Sequence, residues 1–438
     1  MVQQASEINA ADTVWMLVAS SLVLLMTPAL AFFYGGLVRA KNALNTMMMS
    51  VASLGVVGLV WALVGYSLAF GAGGEAIGGL QHLGLAGVDL QAKGTIPHLL
   101  FMTYQGTFAI ITAALISGAV VERMRFGPYL AFIALWVLVV YAPTAHWVWG
   151  GGWLGRLGVL DYAGGTVVHV NAAAAAFVGA LALRPRRDYG RQALLPHNVP
   201  YVLLGAALLW FGWFGFNAGS ALAANSAATL AFVNTFLAPA AALVAWMVID
   251  LARTGRATAV GAATGIVVGL VAVTPAAGFV SPLGAMAIGA LAAPASYFAI
   301  LWRTRTSLDD ALDVVAAHGV GGATGAVLTG VFAQPAWGGA SGLVAGNVGQ
   351  VGLQLLGLIA VALYSGLMTF GLVRLVNAVA HVRSDVRGEA IGLDITQHGE
   401  EAYTRGEGAV LVMPTATASA AFAARGDAIM PPIAEARS

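Results

Sequence analysis

The sequence predicts an all-α integral membrane protein of about eleven transmembrane helices, and three observations support this prediction. Of the 438 residues, 59% are hydrophobic and only 9% are charged, whereas soluble domains are about a quarter charged. Many of the 56 glycines lie inside apolar runs, where small residues let membrane helices approach closely. The runs have the length of about 20 residues that is needed to cross a ~30 Å hydrocarbon core.

Eleven such runs follow one another along the chain. We predict spans at about 13–35, 47–71, 98–120, 128–148, 163–183, 198–219, 227–251, 258–277, 281–302, 312–333 and 348–380.

The basic residues predict the orientation of these spans. Loops that follow odd-numbered spans contain twelve Lys and Arg residues, and loops that follow even-numbered spans contain only Lys93 and Arg156. Basic loops stay on the cytoplasmic side of a membrane. We therefore expect the N-terminus outside and the C-terminal tail in the cytoplasm.

Composition also limits the class of function. A net charge of +1 offers no basic surface for a nucleic acid. The absence of cysteine excludes disulfides, thiolate nucleophiles and cysteine metal sites.

Two histidines lie inside predicted spans at mirrored positions. His169 follows Asp161 by eight residues in the fifth span, and His318 follows Asp310 by eight residues in the tenth. Eight helical residues rise about 12 Å, which is close to half of the ~30 Å core. Because the two spans run in opposite directions, the pattern predicts an inverted repeat of five and five spans plus a final helix. A substrate site is expected at the repeat interface.

The same residues are also compatible with structural roles. A single intramembrane histidine can be a structural residue, although a mirrored pair favours a functional role. A metal site is disfavoured because no third ligand accompanies the pair. Asp161 fits a helix cap and an attractor of cations equally well, whereas Asp310 and Asp313 are expected to be mainly structural.

Aromatic residues form a second group, expected on the outer side of the histidines. Its members are Tyr104, Phe108, Trp149 and Phe216, with Ser220 beside them. An interfacial aromatic belt would account for tryptophans at the membrane boundary, but it would not require a serine among them. Aromatic faces bind cations and a hydroxyl accepts hydrogen bonds from N–H donors. The group therefore suits a small cation that donates hydrogen bonds.

These segments resemble those of the ammonium transporters, the Amt/Mep/Rh family. The matching strings occur in family order and are Phe33–Asn42, Tyr104–Phe108, His146–Gly152, Asp161–Asn171, Trp213–Ser220, Asp310–Gly319 and Gly392–Tyr403. They cover nearly the whole chain to about residue 403. Trp149 and the C-terminal string are similar to the Amt branch rather than to the Rh branch.

The resemblance implies a homotrimer in the cytoplasmic (inner) membrane, with one narrow pore per subunit that transports ammonium or ammonia. It implies neither an enzymatic activity nor a cofactor. The implied roles are an outer recruitment site at Trp149, Ser220 and Tyr104 with Asp161 nearby, a stacked gate of Phe108 and Phe216, and paired pore imidazoles at His169 and His318. Tyr104 departs from the phenylalanine that is common at its position, so its hydroxyl is a candidate determinant of selectivity.

The C-terminal string resembles the region that communicates between subunits and with PII-type signalling proteins. Its candidate regulatory residues are Gly392, Asp394, His398, Gly399 and Tyr403. We accordingly expect a transmembrane domain at 1–381, a cytoplasmic regulatory region at 382–412 and a disordered tail at 413–438, which is rich in Ala, Thr and Pro.

Several functional alternatives stay open. An ammonium sensor that signals through cytoplasmic partners is the main one. An intramembrane hydrolase is disfavoured because Ser220 lacks a glycine-rich nucleophile elbow. Another small amine, such as methylammonium, is a possible cargo, and the sequence does not decide whether NH3, NH4+ or NH3 with a proton crosses.

Overall fold

The computed structural model describes residues 7–403 and is built almost entirely of helices. Eleven of the described helices are apolar: α1 (Ala10–Leu37), α2 (Ala40–Phe70), α3 (His98–Val120), α4 (Phe126–Leu157), α5 (Gly165–Leu183), α6 (Val199–Ala221), α7 (Ser226–Thr254), α8 (Ala259–Val273), α9 (Pro282–Arg303), α10 (Val315–Phe332) and α11 (Gly349–Val379). All but α8 are long and apolar enough to cross a membrane. The described chain ends with a short helix, α12 (Val386–Ile391), and a π-helical turn, Asp394–His398.

The eighth span is shorter than the sequence predicted. Helix α8 contains 15 residues, which rise about 22 Å. Pro275 lacks the amide hydrogen needed to continue a helix, and the chain from Thr274 to Ala277 runs on as buried turns. Irregular backbone is tolerated at membrane depth where protein surrounds it. Ten of the eleven predicted spans are thus present as full-length helices, and the eighth is not.

Equivalent helices of the two predicted repeats pack against each other. Helix α1 packs along α6, and the first turns of α5 pack against those of α10. Glycines permit the close approach of α1 and α6, since a Cβ added at Gly205 would lie 2.4 Å from the backbone nitrogen of Phe33.

Helices α5 and α10 both begin as π-helices, over Gly165–Val170 and Val315–Val320. Single π-helical turns are rare and occur frequently at functional sites. Each of these two turns contains one of the predicted pore histidines, His169 or His318. Outside the helices, β1 (Ala92–Lys93) and β2 (Ile96–Pro97) form a small antiparallel hairpin in the loop between α2 and α3.

Candidate functional site

The two predicted histidines are in direct contact. Their Nδ1 atoms lie 3.2 Å apart, the ring centroids are 5.2 Å apart and the planes differ by 28°. Both rings are buried. Because a hydrogen bond needs one donor and one acceptor, one Nδ1 carries the shared hydrogen and the other accepts it. The Nε2 atom of His169 has no hydrogen-bond partner among the described residues, so it is available to a substrate.

An aromatic stack lies directly against His169. The Phe108 and Phe216 rings are stacked with centroids 4.2 Å apart, and the Phe216 centroid is 6.1 Å from that of His169. Trp213 also stacks on His169, at 5.4 Å. The pattern of aromatic residues predicted the first two rings, but the contribution of Trp213 was missed.

The hydroxyl groups of the outer group point toward one backbone carbonyl. The Tyr104 hydroxyl lies 3.0 Å from the carbonyl oxygens of Gly215 and Phe216, and Ser220 Oγ donates to the Phe216 carbonyl at 2.9 Å. The two hydroxyl oxygens are 3.3 Å apart. The Tyr104 phenol therefore binds the backbone that carries the Phe216 ring.

Trp149 lies on the outer side of the stack, with its ring centroid 6.1 Å from that of Phe108. Its indole Nε1 donates to the carbonyl oxygen of Asp161 at 2.9 Å. The edge of the indole also lies against Gly164, where an added Cβ would be 3.3 Å away. The segment that leads into α5 thus holds the indole in place.

The Asp161 carboxylate is fully occupied by backbone. One oxygen accepts from the amides of Gly164 and Gly165 at 3.0 and 2.6 Å, and the other accepts from Thr166 and Val167 at 2.9 and 3.0 Å. Gly164 has φ of 116°, a left-handed conformation that glycine adopts without strain. These bonds are those expected of a helix cap.

The segment between Phe216 and His318 is called the waist below. It contains a cavity of only about 10 Å³, at the lower limit of the about 10–15 Å³ that a single ordered water needs. Apart from His169 and His318 its lining is apolar, and it consists of Met26, Leu30, Phe33, Ile111, Leu115, Val168, Leu209, Trp213, Phe216 and Val267.

Beyond the waist a vestibule of about 330 Å³ opens, and His318 lines it too. Its charged lining residues are Arg39, Glu122, Arg186, Arg303 and Asp313. The sequence analysis used these arginines only to orient the spans, so the vestibule itself was missed. Its position opposite the aromatic group agrees with the predicted cytoplasmic side, although the orientation itself stays a prediction.

Buried ion pairs join the loops around this vestibule. Glu122 pairs with Arg39 at 3.0 Å and with Arg186 at 2.8 Å, and Arg186 pairs with Asp309 at 2.7 Å. Burial alone would raise the pKa of Glu122, but the guanidinium groups of Arg186 and Arg39 outweigh it and hold that pKa below its ordinary value. The network therefore connects the loops that follow α1, α3, α5 and α9.

Comparison with known proteins identifies this arrangement. Residues 14–403 match the Ammonium Transporter Family. The chain belongs to that family. It is 49% identical to an ammonium transporter of Aquifex aeolicus over 405 residues, which covers 91% of this chain and 94% of the relative. It is 46% identical to an ammonium transporter of Bacillus subtilis over 398 residues, covering 90% and 98% respectively.

A solved structure supports the same fold. The crystal structure of Saccharomyces cerevisiae Mep2 matches with a TM-score of 0.85 and 37% identity, covering 92% of this chain and 93% of that protein. The predicted resemblance is thereby confirmed, and the chain is a multi-pass membrane protein of a transporter family. Relatives that are named as transporters do not favour the sensor alternative.

The C-terminal residues that the family resemblance singled out pack against the first turns of α2. The Asp394 carboxylate accepts from the amides of Asn45 and Leu44 at 2.7 and 3.1 Å, and burial raises the pKa of Asp394 to about 6. His398 Nε2 lies 3.0 Å from the side-chain oxygen of Asn45.

Tyr403 and two glycines complete this contact. The Tyr403 hydroxyl lies 2.9 Å from His197 Nε2 and 3.3 Å from the side-chain nitrogen of Asn198, at the start of α6. Gly392 and Gly399 have φ of 123° and 71°, which glycine adopts most readily. The predicted regulatory region extends past residue 403, and the predicted tail at 413–438 lies outside the described residues.

Proposed function

We propose that the protein moves ammonium across the cytoplasmic membrane by recruiting NH4+ at the outer aromatic group, removing one proton and passing NH3 through the waist. The observation that supports this most strongly is the contact of His169 and His318 directly below a stacked phenylalanine pair, in a cavity of only about 10 Å³. A cavity of this size does not hold the hydration shell of an ion.

The main problem for such a protein is the discrimination of NH4+ from K+, which is of similar size. Carbonyl cages select by size and field strength, so they separate these two ions poorly. A narrow apolar passage selects differently, because the bare ion is costly there while neutral NH3 is not. K+ has no proton to lose and is therefore rejected.

Recruitment would take place where Trp149, Tyr104 and Ser220 lie around the outer side of the phenylalanine stack. The aromatic faces attract the cation. Ser220 Oγ donates to the Phe216 carbonyl, which leaves its lone pairs free to accept an N–H from the substrate. Asp161 would contribute indirectly, because its backbone carbonyl fixes the Trp149 indole.

The proton would then pass to the histidine pair or return outside. One hydrogen shared between two Nδ1 atoms, with His169 Nε2 free, permits a relay in which one ring accepts a proton as the other releases one. A relay makes transport electrogenic, and return of the proton makes the protein an NH3 channel.

We also propose that the subunit assembles as a homotrimer, with residues 382–403 as the visible part of a regulatory region. The bonds of Asp394 and Tyr403 to the cytoplasmic ends of α2 and α6 support this role. They would let a PII-type protein that contacts this face act on the helix that carries Phe216.

The decisive experiment is a current measurement on purified protein in proteoliposomes after pulses of ammonium, K+ and methylammonium. We expect a saturable current with ammonium and none with K+. Alkalinisation of the vesicle interior without current would assign NH3 conduction. Ammonium binding with neither signal would contradict transport.

Histidine variants test the relay. We expect His169→Ala and His318→Ala each to lower the ammonium current at least tenfold, and His381→Ala, which changes an exposed residue near the C-terminal region, to leave it unchanged. An unaltered current in the double variant would eliminate the relay.

A further inference from the structure

His146, a histidine with no assigned role in transport, has an unusual environment. It lies in the last turn of the helical segment Ala142–Val148, three residues before Trp149, and is 2% exposed. Its Nδ1 is 2.9 Å from the carbonyl oxygen of Ala69, and its Nε2 is 2.8 Å from the carbonyl oxygen of Gly74.

These two contacts determine the protonation state of the ring. A backbone carbonyl oxygen only accepts hydrogen bonds, so each ring nitrogen must carry a hydrogen. A neutral imidazole carries one N–H and would leave a nitrogen lone pair facing a buried carbonyl. Turning the ring by 180° would put carbon atoms at both contacts. The imidazolium form alone satisfies both carbonyls.

Two helix ends favour this positive charge. His146 lies in the last turn of its own helical segment, and Ala69 lies in the last turn of the helix that ends at Phe70. Helix C-termini carry partial negative charge on their unpaired carbonyls, so they stabilise a nearby cation.

The other ionisable groups on the segments that pack against His146 have their own surroundings. Within the described chain, none of them hydrogen-bonds to His146. Glu75 pairs with Arg156 at 3.3 Å, Tyr66 bonds His98, and His169 bonds His318. Asp161 accepts hydrogen bonds from four amides, and Tyr141 packs on Trp61. The charge on His146 is therefore balanced by carbonyl dipoles rather than by a carboxylate.

The contacts of His146 join the outer loop to the turn that carries Trp149. On the same side, Trp147 Nε1 donates to the Ala76 carbonyl at 2.7 Å. A Cβ added at Gly150 would lie 2.0 Å from the Ala69 oxygen, so the backbone directly after Trp149 touches the same carbonyl. Loss of the bonds to Ala69 and Gly74 would release this turn.

We propose that His146 is a buried imidazolium that clamps the outer loop against α4 and so positions Trp149 for recruitment of the cation. It is a positioning residue and does not touch the substrate. The second part of this proposal rests on the proposed role of Trp149, whereas the protonation state does not.

Nitrogen NMR of the full-length protein in lipid nanodiscs, with 15N-labelled histidine, tests the protonation state. We expect both ring nitrogens of His146 to show N–H resonances at pH 7.5. Its signals can be assigned by their loss in His146→Gln or, if that variant does not fold, by proximity to a 13C-labelled alanine carbonyl. One nitrogen without hydrogen at this pH would overturn the proposal.

Transport kinetics test the positioning role. His146→Gln retains one donor, and we expect it to raise the KM for ammonium about fivefold with little change in the maximal rate. His82→Gln is the matched control, because His82 is another outer-loop histidine whose Nδ1 lies 2.9 Å from a carbonyl, that of Ala86, but it is only half-buried. A lower maximal rate with unchanged KM would indicate a purely structural residue and overturn the positioning role.

A third variant separates this inference from the proposed function. If Trp149→Ala leaves the KM for ammonium unchanged, the recruitment role of Trp149 fails, and the positioning role of His146 fails with it. The NMR result would still decide whether His146 is an imidazolium.

Discussion

The two histidine-bearing turns, Gly165–Val170 and Val315–Val320, are built alike and surrounded differently. Each is π-helical, and each follows an aspartate that accepts hydrogen bonds from its first amides. Asp161 receives four such bonds on both oxygens. Asp310 receives one, from Val315 at 2.7 Å, and its Oδ1 has no partner among the described residues.

The surroundings of the two turns also differ, because the first turn is covered and the second is open. Trp149 and the stacked phenylalanines cover the first turn, whereas the second opens into the 330 Å³ vestibule with its ring of charges. Two similarly built turns thus supply two histidines, one beneath an apolar aromatic cover and the other beside an open cavity with charged lining residues. Under the proposed function, selection would take place in the first environment and release in the second.

Substitution of Asp161 tests the difference between the two turns with the largest expected effect. Asp161→Ala would leave four buried amides without an acceptor, and an unpaired buried donor costs about 1–3 kcal/mol. We expect the free energy of unfolding to fall by about 3–5 kcal/mol, since such losses are not additive, and transport to be abolished. Denaturant titration in detergent and the proteoliposome assay would measure both.

The matched variant is Asp310→Ala, which removes only one amide bond. We expect it to lower the free energy of unfolding by about 1–2 kcal/mol. Equal losses at the two positions would contradict the difference between the turns.

The aromatic cover of the first turn is tested next. Phe216→Ala removes one ring of the stack and widens the approach to His169. We expect the ratio of ammonium current to K+ current to fall at least tenfold. Leu312→Ala, in the lining of the vestibule, changes a side chain of similar apolarity beyond the waist and should leave the ratio unchanged.

A smaller effect is expected from the phenol that contacts the outer side of the gate. Tyr104→Phe removes the hydroxyl near the carbonyls of Gly215 and Phe216, and a neutral hydrogen bond contributes about 1 kcal/mol. We expect the ratio of methylammonium to ammonium uptake to change a few-fold. Tyr364→Phe, which removes a hydroxyl bonded to Val139 away from the gate, is the control, and an equal change in both variants would exclude Tyr104 as a selectivity determinant.

The smallest expected effect concerns the charged vestibule and depends on pH. Because its folded pKa is lowered, Glu122 contributes stability that is fully present above its ordinary value of 4.5 and is lost as pH falls through the folded value. As the pH is lowered below about 4.5, the midpoint temperature of thermal unfolding should therefore drop more for the native protein than for Glu122→Gln. If the midpoint temperatures of the native protein and of Glu122→Gln fell equally with pH, the ion pairs of Glu122 would contribute nothing to stability.

Much of the fold could be predicted from local patterns in the sequence. The length of the apolar runs predicted ten helices correctly, and the repeated eight-residue spacing to His169 and His318 predicted their meeting. The short α8 was missed because the apolar run continues through Pro275, and hydropathy alone does not record where a helix ends.

Most of the missed features are contacts between residues far apart in the chain. The Tyr104 hydroxyl binds a carbonyl 112 residues away, and Arg186 pairs with an aspartate 123 residues away. Spacing arguments reach only along one helix, so neither contact was predictable. The Asp161 cap is local, but it depends on the left-handed Gly164, and a sequence leaves glycine free to adopt other conformations.

The narrow waist also has an electrical consequence. A membrane voltage falls mainly across the least polar part of a pathway, and the waist between Phe216 and His318 is less polar than the vestibule with its charged lining. A unit charge that crosses 100 mV changes its free energy by about 2.3 kcal/mol, equivalent to a concentration ratio of about fifty. In the proposed relay, almost all of that energy would be available to, or required from, a single proton step between two touching imidazoles.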